Sequence, residues 1–212
     1  DPGLGTVLVM LGVEGEIPEL AHHNLLLSTQ WDDDFAAVFD GPAPQRPLGA
    51  SRSIYVSKPS ATDPDVAPAG HENLFVLVPV AAEAAIGHGN MYRERASEQV
   101  ERIASDAIAQ IEQWCGVEGL GERVVVKQTL GPADFAERYH AWSGGSIGPA
   151  HTLKQSAFLR GSNKSRKLDN LYYAGATTTP GVGVPMCLIS AENVLKRLRG
   201  DTSSAPLAEN LP

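Results

Sequence analysis

The chain has 212 residues with 42% apolar content, enough for a buried core in one large or two small domains. Its 17 Lys and Arg against 25 Asp and Glu leave a net charge of −8, which argues against a nucleic-acid partner that needs many phosphate contacts. Cys115 and Cys187 are too few and too far apart for a disulfide framework or a zinc site, and no apolar run is long enough to span a membrane, so a reducing cytoplasm fits.

Residues 7–11 and 25–27 are short apolar runs separated by Pro18 and the polar His22-His23-Asn24 break, and both read as strands. Asp32-Asp33-Asp34 give residues 35–39 the acidic start of a short helix, which Gly41-Pro42-Ala43-Pro44 ends. Pro47 and Gly49 keep the chain irregular after it. Residues 54–56 and 74–80 are the clearest strands, joined through Pro59, Pro64, Pro68 and the Ala69-Gly70 turn into a long hairpin. The span 91–114 predicts the longest helix, because Val100, Ile103, Ala107, Ile111 and Trp114 recur at helical spacing, and Gly116 stops it.

Residues 124–126 predict a buried strand, 132–139 a short helix and 144–149 a flexible loop. Residues 171–174 predict a further buried strand, with Tyr172 and Tyr173 in the core, stopped by Gly175. Gly181 and Gly183 permit positive φ, and Pro185 suits the first position of a last helix over 185–198. Strands interleaved with helices of uneven length predict an α/β (α+β mixed) chain, a mixed sheet with helices packed on it.

A strand, a glycine-rich turn and a helix near the end of the chain form the arrangement of a cofactor site. Free N–H groups at the helix start, with the positive end of the dipole, suit a pyrophosphate or a flavin's carbonyl edge. Neither G-x-G-x-x-G nor the P-loop is spelled there, and an ordinary strand-to-helix connection accounts for the same glycines. Gly144-Gly145-Ser146-Ile147-Gly148 spells the G-x-S-x-G of a hydrolase elbow, but no strand leads into it and no histidine follows His151.

The 6 histidines lack metal-ligand spacing, so no metal site is expected, and His22, His23 and His71 read as structural. Asp63, between Thr62 and Pro64, has the composition of a catalytic acid and the sequence of a turn, and the turn is favoured. Arg160, Lys164, Arg166 and Lys167 make a basic cluster that reads as a solvated loop, within which Asn163-Lys164-Ser165 matches a glycosylation acceptor by coincidence.

Tyr172, Gly175, Pro180, Gly181, Gly183 and Pro185 resemble the flavin-binding signature near the C-terminus of the bacterial-type phytoene desaturases, Y-x-x-G-x-x-x-x-P-G-x-G-x-P before a helix. Those proteins are a carotenoid-forming branch of the amine-oxidase-like flavoproteins. Segments 7–31, 54–80 and 129–160 resemble the same family in the same order. The resemblance implies the C-terminal portion of an FAD-dependent oxidoreductase that desaturates a long apolar carotenoid precursor such as phytoene, by proton loss and hydride transfer to flavin N5.

On that resemblance, residues 1–150 are a substrate-side mixed-sheet domain, 151–199 a return segment completing the FAD-binding fold, and 200–212 a disordered tail. Gly175, Ala176 and Thr177 fall by the phosphate and ribityl portion of FAD, and Gly183, Val184, Pro185 and Met186 by the isoalloxazine ring. Ala176 and the threonines at 177–179 stand where many relatives have G-T-H, so backbone contacts carry over better than side-chain ones. His151 falls near the substrate, with a structural histidine as the alternative, and no catalytic residue is assigned.

The family's opening G-x-G-x-x-G is not in the chain, and Asp1 is not an initiating Met. The expected partners are therefore the N-terminal dinucleotide-binding portion of the same enzyme and an apolar polyene. Peripheral contact at the inner face of the membrane is compatible with this. The other reading is a stand-alone module that binds a hydrophobic ligand or docks on a membrane without catalysis.

Overall fold

Val7, Val9, Leu11 and Val13 alternate with more exposed neighbours along β1 (Gly5–Glu14), so one face of this strand is driven into a core. The computed structural model describes residues 1–40 and 50–207, which fall into two compact units, residues 4–146 and residues 1–3 with 147–212. In the first unit β1 lies between β4 (His71–Val80) and β5 (Val124–Leu130), and β2 (His23–Leu26) and β3 (Ile54–Ser57) extend the sheet beyond β4. The strand order is β2-β3-β4-β1-β5 and every pairing is antiparallel, so the expected mixed sheet is corrected. The consecutive strands β2, β3 and β4 lie side by side, whereas β1 pairs with β4 and β5, distant in sequence, and among the described residues no βαβ crossover makes a parallel pair in this sheet.

One face of the sheet is closed by α2 (Glu98–Cys115), which buries Val100, Ile103, Ala104, Ala107, Ile108 and Ile111 against the valines of β1 and β4. Each of these larger side chains contributes about 1.5–3 kcal/mol by leaving water. Gly116, at φ 73, ends α2 in the left-handed conformation, as its position predicts. The helix starts seven residues later than its apolar spacing implies. Met91 N–H donates to Thr129 O, and the Asn90 side chain bridges Thr129 and Lys127, so this stretch is pinned along β5. His88 and Ser97 then close a loop through Ser97 N–H to His88 O and His88 N–H to Ser97 Oγ, and only beyond Ser97 is the backbone free to coil.

The helix α1 (Trp31–Phe39) ends where expected but starts four residues earlier, so that the three aspartates lie within its first turn, and Asp40 closes it by donating to Ala36 O. The Gly-Pro stop at 41–44 and the irregular stretch at Pro47 and Gly49 lie outside the described residues. A short helix α3 (Leu120–Arg123) buries Leu120, and α4 (Pro132–Tyr139) has the predicted bounds. Residues 124–126 do join a strand, but Val125 and Val126 are exposed, because β5 is a sheet edge and its pairing slips between Gly12 and Val13.

The other face of this sheet carries an apolar row across all five strands, Leu25, Tyr55, Leu77, Leu8 and Leu130, in direct register. Met10 and Phe75 form a second pair on the same face. A concavity of about 590 Å³, lined largely by apolar side chains including Met10, Val66, Phe75 and Val126, opens here.

In the second unit Ala150 is the one buried hydrophobic residue among those described, and the buried set is otherwise polar: Arg160, Asn163, Thr178, Ser190 and Lys196. Its regular element is α5 (Val184–Arg199), one residue longer at each end than expected, so that Pro185 takes the second helical position. The strand expected at 171–174 does not form. Tyr172 makes a single bridge to Lys164, Tyr173 N–H donates to Asn163 O, and Ser165 N–H donates to Leu171 O. A strand needs a ladder on its flanks and cover on its face; residues 163–165 supply a fragment of the first, while Leu171 and Tyr173 stay exposed.

The described part of the tail is held against α5: Lys196 Nζ donates to the carbonyls of Ser203 and Ala205, and Leu207 N–H to Glu192 Oε1. Residues 208–212 lie outside the described residues.

Candidate functional site

The candidate flavin residues all lie in the second unit, on one continuous turn from Gly175 to the start of α5. Gly175, Gly181 and Gly183 adopt φ of 115, 151 and 112, conformations that L side chains rarely take, which is why glycine stands at each. A Cβ at Gly175 or Gly183 would meet no atom within 4 Å, so bare backbone faces open space at both positions. Cys187 N–H closes the first turn of α5 on Gly183 O, and Pro185 has no N–H. The amides of Val184 and Met186 thus remain at the helix start without an intrahelical acceptor.

The shape of the turn is set by Asn163, which sequence reasoning dismissed as part of a surface tripeptide. It is 1% exposed, and its Nδ2 lies 3.1 Å from Tyr173 O, 3.2 Å from Thr178 Oγ1, and 3.0 Å from both Thr179 O and Ser190 Oγ. Ser190, on α5, accepts from Gly175 N–H at 3.0 Å and lies 2.9 Å from Thr178 Oγ1. One amide thereby ties the approach to the turn, the turn itself and the helix together.

Arg160 departs from the solvated-loop expectation. It is 5% exposed, donates through Nη2 to Ala176 O, and its Nε has no partner among the described residues. The turn residues packing over it explain this burial, because the loop folds under the turn and Thr179 N–H bonds to Gly161 O. Lys164 is half-buried, and Arg166 and Lys167 are exposed as expected. By sequence this unit has eight Lys and Arg and five Asp and Glu, a net +3, against −11 for residues 4–146.

His151 is exposed and makes no hydrogen bond to the turn among the described residues. The other polar candidates take the structural roles expected of them. His22 Nδ1 lies 2.6 Å from Thr62 Oγ1, His23 Nδ1 lies 2.7 Å from Tyr55 OH, and His71 Nδ1 lies 3.2 Å from Ala69 O. Asp63 Oδ1 accepts from Asp65 N–H at 3.0 Å, a turn aspartate. No group of metal-ligating side chains occurs among the described residues. The hydrolase-like Ser146 follows a single helical turn at Trp142–Gly144, not a strand, and its N–H and Oγ both bond to Leu4 O.

No protein-family model matches the chain. It is 44% identical over 195 residues to a carotenoid 3,4-desaturase of Haloarcula japonica, covering 92% of this chain and 36% of the relative. It is 32% identical over 194 residues to a 4,4'-diapophytoene desaturase (4,4'-diaponeurosporene-forming) of Staphylococcus aureus strain Newman, covering 91% of this chain and 37% of the relative. The chain belongs to the carotenoid desaturase family. It spans a little over a third of the length of the curated relatives it matches. Among its described residues no helix is long and apolar enough to cross a membrane.

Proposed function

We propose that this chain is the C-terminal part of an FAD-dependent carotenoid desaturase, with residues 1–150 serving the substrate side and 151–199 completing the flavin-binding fold. The observation that carries the reading is the glycine turn, with backbone bare at Gly175 and Gly183 and buttressed by Asn163, in a member of this family. The residues fit a flavin dinucleotide: open backbone for close approach, free amides at a helix start, and a unit of net positive charge for a diphosphate. Gly175, Ala176 and Thr177 would hold the phosphate and ribityl portion, and Gly183, Val184, Pro185 and Met186 the ring. When bound, the flavin supplies the two-electron acceptor that removal of hydrogen from an unactivated carbon chain requires.

The second unit has almost no apolar core, yet Val184 is 77% and Leu188 69% exposed on α5, and Leu171 and Tyr173 are exposed as well. Such surface calls for cover, which suits a segment docking into a fold begun elsewhere in the polypeptide. In residues 4–146, the apolar row on the open sheet face and the concavity by Met10 and Phe75 suit a polyene held by buried area without polar anchors. The chain's own residues there would align the substrate and exclude water. Trp31, Phe35 and Phe39, one exposed stripe on α1, and Leu25 and Leu27 nearby in sequence suit peripheral contact with the inner membrane face from the cytoplasm.

The self-contained core of residues 4–146, with its apolar concavity, favours the second reading, a ligand-binding module without catalysis. The full-length polypeptide separates the two. On the first reading it purifies with FAD, or takes it up on reconstitution, and alters carotenoids in a producing host. A flavin-free protein that takes up none overturns that reading.

A further inference from the structure

We infer, resting on the flavin reading above, that Arg160 supplies the counter-charge for the diphosphate of the dinucleotide. The guanidinium is buried to 5% exposure, and among the described residues its Nε has no hydrogen-bond partner. It pairs with no carboxylate among the described residues, and its recorded bond is from Nη2 to a neutral acceptor, Ala176 O. An arginine cannot shed its charge by deprotonation, and a buried unpaired charge is strongly unfavourable, so the site is incomplete without an anion.

The position of the group says which anion. A Cβ at Gly148 would lie 3.7 Å from Arg160 Nη2, and one at Gly181 would lie 4.0 Å from Nε, so the fork sits beneath the glycine turn. Its Nη2 grips Ala176, which lies between Gly175 and Thr177, the stretch assigned to the phosphate portion of the cofactor. A planar guanidinium matches phosphate oxygens in a two-point geometry that an ammonium does not reproduce. The +3 charge of this unit adds to the same preference. A carboxylate from the remainder of the polypeptide is the competing anion, and the two make different predictions.

The test uses the full-length polypeptide and its Arg160→Gln and Arg160→Lys variants, stripped of flavin and titrated separately with FAD and with riboflavin, which has no phosphate. Losing a charge-assisted contact to phosphate weakens FAD binding on the order of 10- to 100-fold in Arg160→Gln, with riboflavin affinity within about twofold of the unsubstituted protein. Arg160→Lys keeps the charge and loses the fork, so its FAD affinity falls between the two. If Arg160→Gln does not fold, Arg160→Lys carries the same comparison. Unchanged FAD affinity with a lower melting temperature assigns Arg160 to a carboxylate of the protein and overturns the inference, as does an equal loss for both ligands. Failure of the unsubstituted protein to bind any flavin overturns the functional reading itself and is thus distinguishable.

Discussion

Replacing Asn163 by Ala and by Asp in the full-length polypeptide separates a hydrogen-bonding hub from a merely well-packed residue. The amide has two protons and four acceptors at 3.0–3.2 Å. Thr178 Oγ1 and Ser190 Oγ keep one another and Gly175 N–H when the amide is deleted, whereas the carbonyls of Tyr173 and Thr179 lose a buried donor. At about 1–3 kcal/mol for each of the two carbonyls left unsatisfied, Asn163→Ala costs roughly 2–6 kcal/mol. Asn163→Asp keeps the shape but sets a buried carboxylate against the carbonyls of Tyr173 and Thr179, which the hydroxyls of Thr178 and Ser190 offset only in part by turning to donate, so its cost exceeds that of the alanine. The assay is urea-induced flavin release followed by fluorescence, with circular dichroism alongside. Simple packing gives the reverse order, because the isosteric aspartate leaves no cavity; an aspartate variant more stable than the alanine variant would refute the hub.

Three further outcomes are expected. In the 212-residue chain by itself, hydrogen exchange should leave the amides of β1 and β4 protected for long periods and exchange those of residues 160–190 far faster, since Ala150 is the sole buried hydrophobic residue described in their unit; equal protection contradicts this. Asp134, 2% exposed, accepts from Gly89 N–H at 2.6 Å and Gly131 N–H at 2.9 Å, so Asp134→Ala should destabilise residues 4–146 by about 2–4 kcal/mol in urea unfolding, and a change below about 0.5 kcal/mol would count against it. The Ser203 backbone N–H, then its hydroxyl, hold the Asp201 carboxyl below its ordinary value of 3.8, opposed by desolvation and helped by Lys196 and Arg199. Because the folded value is depressed, the stabilisation is present above the unfolded value and is lost as pH falls through the folded one; an NMR titration midpoint at or above 3.8 rules this out.

Most of residues 4–146 was legible because its signals are local. The apolar runs of β1 and β4 and the stop at Gly116 depend on neighbours within a few positions, and the structure keeps them. The start of α2 was not legible, because residues 88–97 are claimed by bonds from His88 to Ser97 and from Asn90 to β5, partners up to 39 residues away that no helical period reveals. The exposure of Val125 and Val126 was likewise hidden: three consecutive valines mark a strand, but whether it is central or at an edge depends on which strands lie beside it.

The candidate site divides along the same line. Gly175, Gly181 and Gly183 announce themselves because positive φ is a constraint each residue carries alone. Arg160 and Asn163 look like any basic, polar loop, since their roles are fixed by Ala176, Thr178 and Ser190, 15 to 27 residues further on. The apolar character of Leu171 and Tyr173 was read correctly as a demand for burial and wrongly as burial achieved. A sequence records that a side chain needs cover; what supplies the cover is a property of the whole fold. In a unit whose buried residues are nearly all polar, those exposed side chains call for apolar cover, and on the inference drawn above the charge of Arg160 calls for an anion.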